Sequence, residues 1–308
     1  GVVLPHEFTR PAAKADRLAL MRATETNTEP IFALYEDPDL SITGVLNAAV
    51  QDSSPSLVIE AGGMLHQVFA ITDPEAVGQV VLLMAPRRVW IADGHHRYET
   101  ALTYLSEVQG GDTSLAEGAS RILVVLSPFE DPGIVVLPTH RLLRRLKRDA
   151  WARLEEFVTA AFHIEPVERV RSAMEELGGT ASSDGKLLLA TRDGMWLLTL
   201  RDSSLMDTVA PESGAAWRRL DVSILQKLVL EPLMAESGCD SVEVAYTHDA
   251  EDALLGVRTG LNDAAFLVGT PSSDDVRRVT AEGDRMPAKS TFFYPKLWSG
   301  LLLRRLGR

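Results

Sequence analysis

Repeatedly along this chain a short apolar run hands over to a segment of helical period, an alternation that commits a sequence to an α/β fold. The sharpest case is RRVWIADGHHRYETALTYLSEV. An apolar run ends at Asp93, Gly94 interrupts, and a helix follows whose Ala101, Leu102, Leu105 and Val108 form an inner face. Where a strand passes to a helix through glycine, the first helical N–H groups lack partners and point beyond the sheet edge.

The same rhythm recurs on both sides of that junction. PAAKADRLALMRAT reads as a helix with Pro11 suited to its first turn, and PIFALYED as a strand. SLVIEAGGMLHQVFAI is two apolar runs around Gly62-Gly63, which predicts a hairpin. TDPEAVGQVVLLM follows as a helix capped by Asp73 with Pro74 at its first position. SRILVVLSP predicts a buried strand, and GIVVLPTHRLLRRL a short strand leading into a basic stretch. Past DAWARLEEFVTAAF, a helix, the order becomes strand, helix and hairpin, with KLLLATRDGMWLLTL turning at Asp193-Gly194. LDVSILQKLVLEPLM reads as a helix. SVEVAYTHDAEDALLGV and AAFLVGTPSSDDVRRVTAEG each read as strand then helix, the first capped near Asp249. The expected organisation is a first α/β domain over residues 1–145 and a second over 146–308.

Composition limits the function classes. With 308 residues and 45% hydrophobic content, the chain can bury a substantial core. A formal net charge of -12 opposes a general nucleic-acid surface. The single cysteine, Cys239, supports neither an internal disulfide nor a cysteine-based zinc site, so a reducing, cytoplasmic setting is the default. No apolar run approaches the roughly 20 residues of a membrane span. The opening on Gly1 rather than Met predicts that a natural N-terminal portion precedes it.

The turn Asp93 to Arg97 carries the chemistry. Gly94 allows an anion to approach the backbone closely, and Arg97 offers a planar fork of donors to phosphate or carboxylate. His95 and His96 are neighbours on a helix and point about 100° apart, so one faces the site while the other bonds elsewhere. Asp93 suits three roles: helix cap, proton acceptor, or ligand of a nucleotide's magnesium. A plain Asp-Gly turn capping a helix is the bland alternative, but two histidines and an arginine there cost stability without serving a core.

ADGHHRYETAL closely resembles the hallmark of a widespread bacterial family, domain-of-unknown-function family 1015. HEFTRPAAKADRL, PIFALY, LPTHRLL, DVSILQKLVLEPLM and MPAKSTFFYPKLWSGL are similar to it as well, so the likeness runs from His6 to Leu301. Members usually carry a further N-terminal segment with a Pro-Pro-Tyr-Asp-like motif, which this sequence lacks. More distantly, the strand, Gly-X-X-Arg turn and helix resemble the phosphate-binding box of the ParB and sulfiredoxin superfamily. That superfamily includes free serine kinases that use ADP as donor. The resemblance implies a ParB/sulfiredoxin-like domain joined to a second α/β domain, with Gly94, His95, His96 and Arg97 holding nucleotide phosphates. His95 stands where sulfiredoxins place their catalytic cysteine, so a sulfinic-acid reductase is not implied, and the basic flanks that ParB proteins use for DNA are not evident.

Other candidates lie apart in sequence. MPAKSTFFYPK offers Lys289, Ser290, Thr291 and Lys296 to phosphate or acceptor on a loop with two prolines, or else Phe292, Phe293 and Tyr294 plug a gap between domains. His140 and Arg141 follow a strand, where ligands often bind in α/β folds. The run Arg144, Arg145, Lys147 and Arg148 reads as a solvated helix face. His6 and Glu7 could join either site; His66, His163 and His248 read as structural or exposed. Asp93, His95, His140 and His6 are acceptable divalent-metal ligands, although no metal-binding spacing joins them. Walker, dinucleotide and serine-hydrolase motifs are absent from the sequence.

The leading expectation is a nucleotide-dependent phosphotransferase acting on a small hydroxylated metabolite, with a nucleoside di- or triphosphate and magnesium. Asp93, His95 and His96 are its catalytic candidates. The alternatives are a ParB-like nucleotide switch with slow or no hydrolysis, and a metal-dependent phosphohydrolase. Small molecules are the expected partners, not membranes or nucleic acid.

Overall fold

The computed structural model describes residues 2–168, 174, 175, 177, 185–236 and 241–307; Cys239 lies outside them. The fold is mixed α/β, built on two main sheets. In the first half come β1 (Val3–Pro5), α1 (Pro11–Thr24), β2 (Thr26–Asn27), β3 (Ile31–Tyr35), α2 (Ser41–Val50), β4 (Leu57–Ala61), β5 (Met64–Val68), α3 (Pro74–Met84), β6 (Val89–Asp93), α4 (His95–Val108), α5 (Thr113–Ala119) and β7 (Val124–Pro128). Four of these strands form a sheet in the order β1-β6-β3-β7. Its β1–β6 and β3–β7 pairs are parallel and its β3–β6 pair antiparallel. Every residue of β3 is buried, so the strand reads as an unbroken apolar run rather than an alternating one.

Several sequence expectations hold. β4 and β5 form the antiparallel hairpin, with Gly62 and Gly63 at positive φ of 60° and 74°. The Asp73 carboxylate caps α3 by accepting from Ala76 N at 2.9 Å. On α4 the inner face differs. Tyr104 is buried with Met21, Ala119 and Leu306, backed by Ala101, Leu105 and Val108, while Leu102 is 48% exposed. Residue 102 lies about 100° from 101 around the helix, so both cannot face the core. α2 is not evident from the sequence pattern; its start is held by the buried Asp37 accepting from Ile42 N (3.2 Å) and Thr43 N (2.9 Å).

The second half adds β8 (Val135–Leu137), β9 (His140–Arg144), α6 (Arg148–Ala161), β10 (Phe162–Pro166), β11 (Lys186–Thr191), β12 (Gly194–Leu200), β13 (Glu243–Thr247), β14 (Ala264–Val268), β15 (Phe292–Tyr294) and β16 (Arg304–Arg305), with several further helices. Six strands make an antiparallel sheet in the order β10-β12-β11-β14-β9-β13. The basic run after His140 is therefore not one helix face. Arg144 ends β9 and donates from Nε to Asn262 at 2.7 Å, Arg145 turns with φ 62° and pairs with Glu243 at 2.8 Å, and α6 begins only at Arg148. Leu142 and Leu143, on opposite faces of β9, are both buried, which makes this strand internal to the sheet. The segment expected as one helix, 220–234, is helical from Asp221 with a π turn over Gln226–Leu230, two residues before Pro232. Proline cannot donate the regular i→i−4 bond, and a π turn re-spaces the ladder around it.

One hydrophobic cluster joins the two sheets, running from Phe32, Leu34, Trp90 and Ala92 to Leu143, Phe266 and Phe293. The C-terminal segment stitches them further. β15 pairs with β8, β16 pairs with β2, and Met286 N donates to His6 O at 2.7 Å. Among the described residues no helix is long and apolar enough to cross a membrane.

Candidate active site

The end of β6, the start of α4, the N-terminal segment and the C-terminal loop converge on a cleft of about 320 Å³. Glu7, Asp93 and His95 line one side, Lys289, Thr291 and Lys296 another, and Tyr246 to His248 from the second sheet complete it. A larger depression of about 800 Å³ between α2 and α3 contains none of the candidate residues.

Asp93 bridges two cations. Its Oδ1 accepts from Lys296 Nζ at 2.9 Å and its Oδ2 from Arg97 at 2.6 Å. Burial pushes its pKa upward, but Lys296 and Arg97 outweigh burial and hold the carboxyl below its usual range. Each carboxylate oxygen is thus engaged by one cation. Among the described residues no three His, Cys, Asp or Glu side chains gather as a ligand set.

The two histidines do diverge, as their spacing requires. His95 is buried and its Nε2 accepts the main-chain N–H of His6 at 3.2 Å, while His96 turns outward and accepts Arg10 N at 2.9 Å. His6 lies under the cleft. Its Nδ1 lies 2.7 Å from the Ile91 carbonyl, which can only accept, so Nδ1 carries the proton and Nε2 takes the Thr291 hydroxyl at 2.9 Å. Burial lowers the His6 pKa to about 4. Burial, with His6, Arg285 and His96 as further causes, lowers that of His95 to about 2. Both rings are neutral, and His95 holds its ring proton on Nδ1. They therefore position and donate; they do not carry charge.

Glu7 is the group with the opposite shift. Burial raises its pKa against the opposing pull of Lys289 and Lys296, leaving a carboxylate that takes a proton more readily than an exposed one. In the same cleft, Lys296 sits 4.4 Å from the Phe292 ring centroid, and the His248 ring stacks on Phe292 with centroids 4.5 Å apart.

Residues 1–223 match a family model described as "Protein of unknown function (DUF1015)". The chain belongs to the DUF1015 family. A comparison of this DUF1015 member with curated proteins finds no match. Among solved structures, a conserved hypothetical protein from Pyrococcus furiosus is similar with a TM-score of 0.50 and 13% identity, over 99% of this chain and 92% of that one. A point mutant of free serine kinase in complex with AMP has a TM-score of 0.51 at 12% identity, over 95% of this chain and 83% of that chain. A mutant kinase in complex with ADP has a TM-score of 0.50, also at 12% identity. At such identities the likeness is one of fold: the DUF1015 chain shares an α/β architecture with these nucleotide-bound kinases.

Not all expected residues reach the cleft. Ser290 is fully buried and donates to the Pro287 carbonyl at 2.5 Å. His140 accepts from Val268 N at 3.3 Å inside the second sheet, and Arg141 is buried and donates to the Thr139 carbonyl. Phe293 is the aromatic plug, edge-on to Phe32 and His6, whereas Tyr294 is 43% exposed. Glu7, which the sequence offers only as a neighbour of His6, and His248, which reads there as structural or exposed, line the cleft.

Gly94 and Arg97 form a unit. Gly94 adopts φ 96° at the N-cap of α4 and brings no side chain to cap it. A Cβ there would fall 2.8 Å from Arg97 Nε, so the guanidinium lies across the bare glycine. Gly94→Ala is expected to cost about 1–3 kcal/mol from the left-handed backbone and the displaced arginine. The lowered midpoint of a urea denaturation curve measures that loss; an unchanged midpoint would rule out the arginine stacking described.

Proposed function

We propose that this DUF1015 protein transfers a phosphoryl group from a nucleoside di- or triphosphate to the hydroxyl of a small metabolite bound in the cleft. One observation carries the reading. A carboxylate with a raised pKa, Glu7, faces two lysines, Lys289 and Lys296, beside the uncapped N-terminus of α4, in a fold shared with kinases solved with AMP and ADP.

In this reading the nucleotide phosphates lie against the His95, His96 and Arg97 amides at the start of α4, where the helix dipole and the Arg97 guanidinium favour anions. The acceptor occupies the cleft. Its hydroxyl oxygen bonds to the terminal phosphorus as its proton passes to the Glu7 carboxylate, and the bond to the bridging oxygen breaks, releasing a nucleotide one phosphate shorter. The ammonium groups of Lys289 and Lys296 and the His95 Nδ1–H stabilise charge on the transferring group. His6 is a positioning residue, tying Thr291 to the end of β6. The apolar Phe292 wall limits water near the phosphorus.

Titration calorimetry with ADP tests the phosphate site. Arg97→Ala is expected to weaken ADP affinity by roughly 10–100-fold, since a charge-assisted contact to the phosphates is lost. Circular dichroism would check that the fold survives. Equal affinity in the variant would overturn the assignment of the phosphates to α4.

A further inference from the structure

The cationic end of the phosphate site is already occupied by a carboxylate from the chain itself. Arg97 donates one guanidinium nitrogen to Asp93 and the other terminal nitrogen to Glu29, in the segment between β2 and β3. Glu29 is held from two further sides, by Ser299 Oγ at 2.9 Å and by Arg17 at 3.9 Å. Although burial works against it, Ser299, Arg97 and Arg17 keep the Glu29 carboxyl ionised, with its pKa below the usual range.

We propose that Glu29 is a built-in competitor for the ligand phosphate on Arg97, so that nucleotide binding is an exchange of one anion for another. This rests on the reading of α4 as the phosphate site. Charge supplies the first argument. Asp93 and Lys296 neutralise each other at 2.9 Å, and Glu29 cancels Arg97. With Glu29 withdrawn, the same group carries one net positive charge beside a positive helix end, which is an anion site. Arginine does not lose its proton at accessible pH, so its partner must be replaced rather than titrated away.

The two carboxylates are not equally replaceable. Asp93 is four residues from Arg97, at the end of the strand that feeds α4, and Lys296 secures its other oxygen. Glu29 reaches Arg97 across 68 residues of sequence through a side-chain contact alone. The Glu29 oxygen on Arg97 takes the place that one phosphate oxygen would occupy. Ser299 adds a consequence for the loop. It lies three residues past Lys296, so displacement of Glu29 also frees a tether of the segment that brings Lys296 to the cleft.

The test is calorimetry with ADP and, separately, pyrophosphate, on the full chain and on Glu29→Gln. Removing the competitor is expected to tighten both ligands by about tenfold, the scale of one charge-assisted hydrogen bond. The gain is expected to vanish in the Glu29→Gln/Arg97→Ala double variant and to be absent from Glu36→Gln, which removes the same charge elsewhere on the surface. Ser299→Ala, which only loosens Glu29, is expected to tighten binding by about two- to threefold and serves should Glu29→Gln not fold. Tightening of ADP without pyrophosphate would overturn the exchange, because it would place the effect at the base. Binding of ADP by the unaltered protein with no gain in either variant overturns the competitor and leaves the nucleotide reading standing. Binding of neither ligand by any of these proteins overturns both.

Discussion

Glu7→Gln is expected to lower the rate of phosphoryl transfer by about 10²–10⁴-fold, the usual contribution of a positioned general base, while changing ADP affinity by no more than about two- to threefold. Glutamine keeps the shape of the side chain and a carbonyl oxygen that can accept a hydrogen bond. It cannot take the hydroxyl proton. In the proposed arrangement Glu7 faces the acceptor and the phosphates lie at α4, so the loss is expected on kcat and not on nucleotide binding. The pH profile gives a second readout. Glu7 must be ionised to act, and burial raises its pKa above the ordinary value of 4.5, so activity rises with pH along a limb displaced upward from an exposed carboxylate. That limb is absent from any residual activity of Glu7→Gln. A panel of hydroxylated amino acids as acceptors, with ADP and ATP as donors, supplies the assay. A variant that retains the full rate would exclude Glu7 as the base.

What the sequence discloses follows the range of the interactions. The strand, glycine and helix around Asp93 are set by neighbours a few residues apart, and their hydrophobic rhythm, the hairpin at Gly62-Gly63 and the Asp73 cap are visible there. The divergence of His95 from His96 follows from the helical period alone. The partners of these residues are another matter. The His6 ring meets Thr291 across 285 positions and Lys296 meets Asp93 across 203, contacts that no local pattern encodes. Hence Asp93 reads in sequence as a cap, a base or a metal ligand, whereas in the fold it is a bridge between two cations. Ser290 and Thr291 are adjacent hydroxyls of similar chemistry, yet one is spent inside the loop and the other lines the cleft. His248 could have been suspected from its place at the end of a strand, the position that favours ligands in α/β sheets. Glu7 carries no such signal beyond standing next to His6.

The largest effect on stability is expected from acid, and the loss begins above the pH at which ordinary carboxylates protonate. His6, His95 and His140 are each buried and neutral; burial lowers them to about 4, about 2 and about 4 from an unfolded value of 6.5. Below pH 6.5 the unfolded chain therefore binds up to three protons that the folded chain refuses. Each such proton costs about 1.4 kcal/mol of stability per pH unit, so the three together approach roughly 4 kcal/mol per unit. The stability is fully present above 6.5 and falls as the pH drops; the His6 and His140 contributions level off near 4, while that of His95 continues lower. Glu7, raised in the fold, works in the opposite sense, since the folded state binds its proton first and recovers part of one unit of slope as the pH falls below its raised pKa. Asp93 and Glu29, lowered in the fold, add their loss only below the ordinary carboxylate range. Against a typical total of about 5–15 kcal/mol, unfolding is expected between about pH 5 and 4. Urea titrations at pH 7, 6 and 5 measure the slope. His140→Asn, whose side-chain oxygen can still accept from Val268 N but does not titrate, is expected to remove about a third of it. A folding free energy that stays level from pH 7 to 5 would mean that the three rings are not the neutral, buried groups that tie the N-terminal segment, the start of α4 and the second sheet into place.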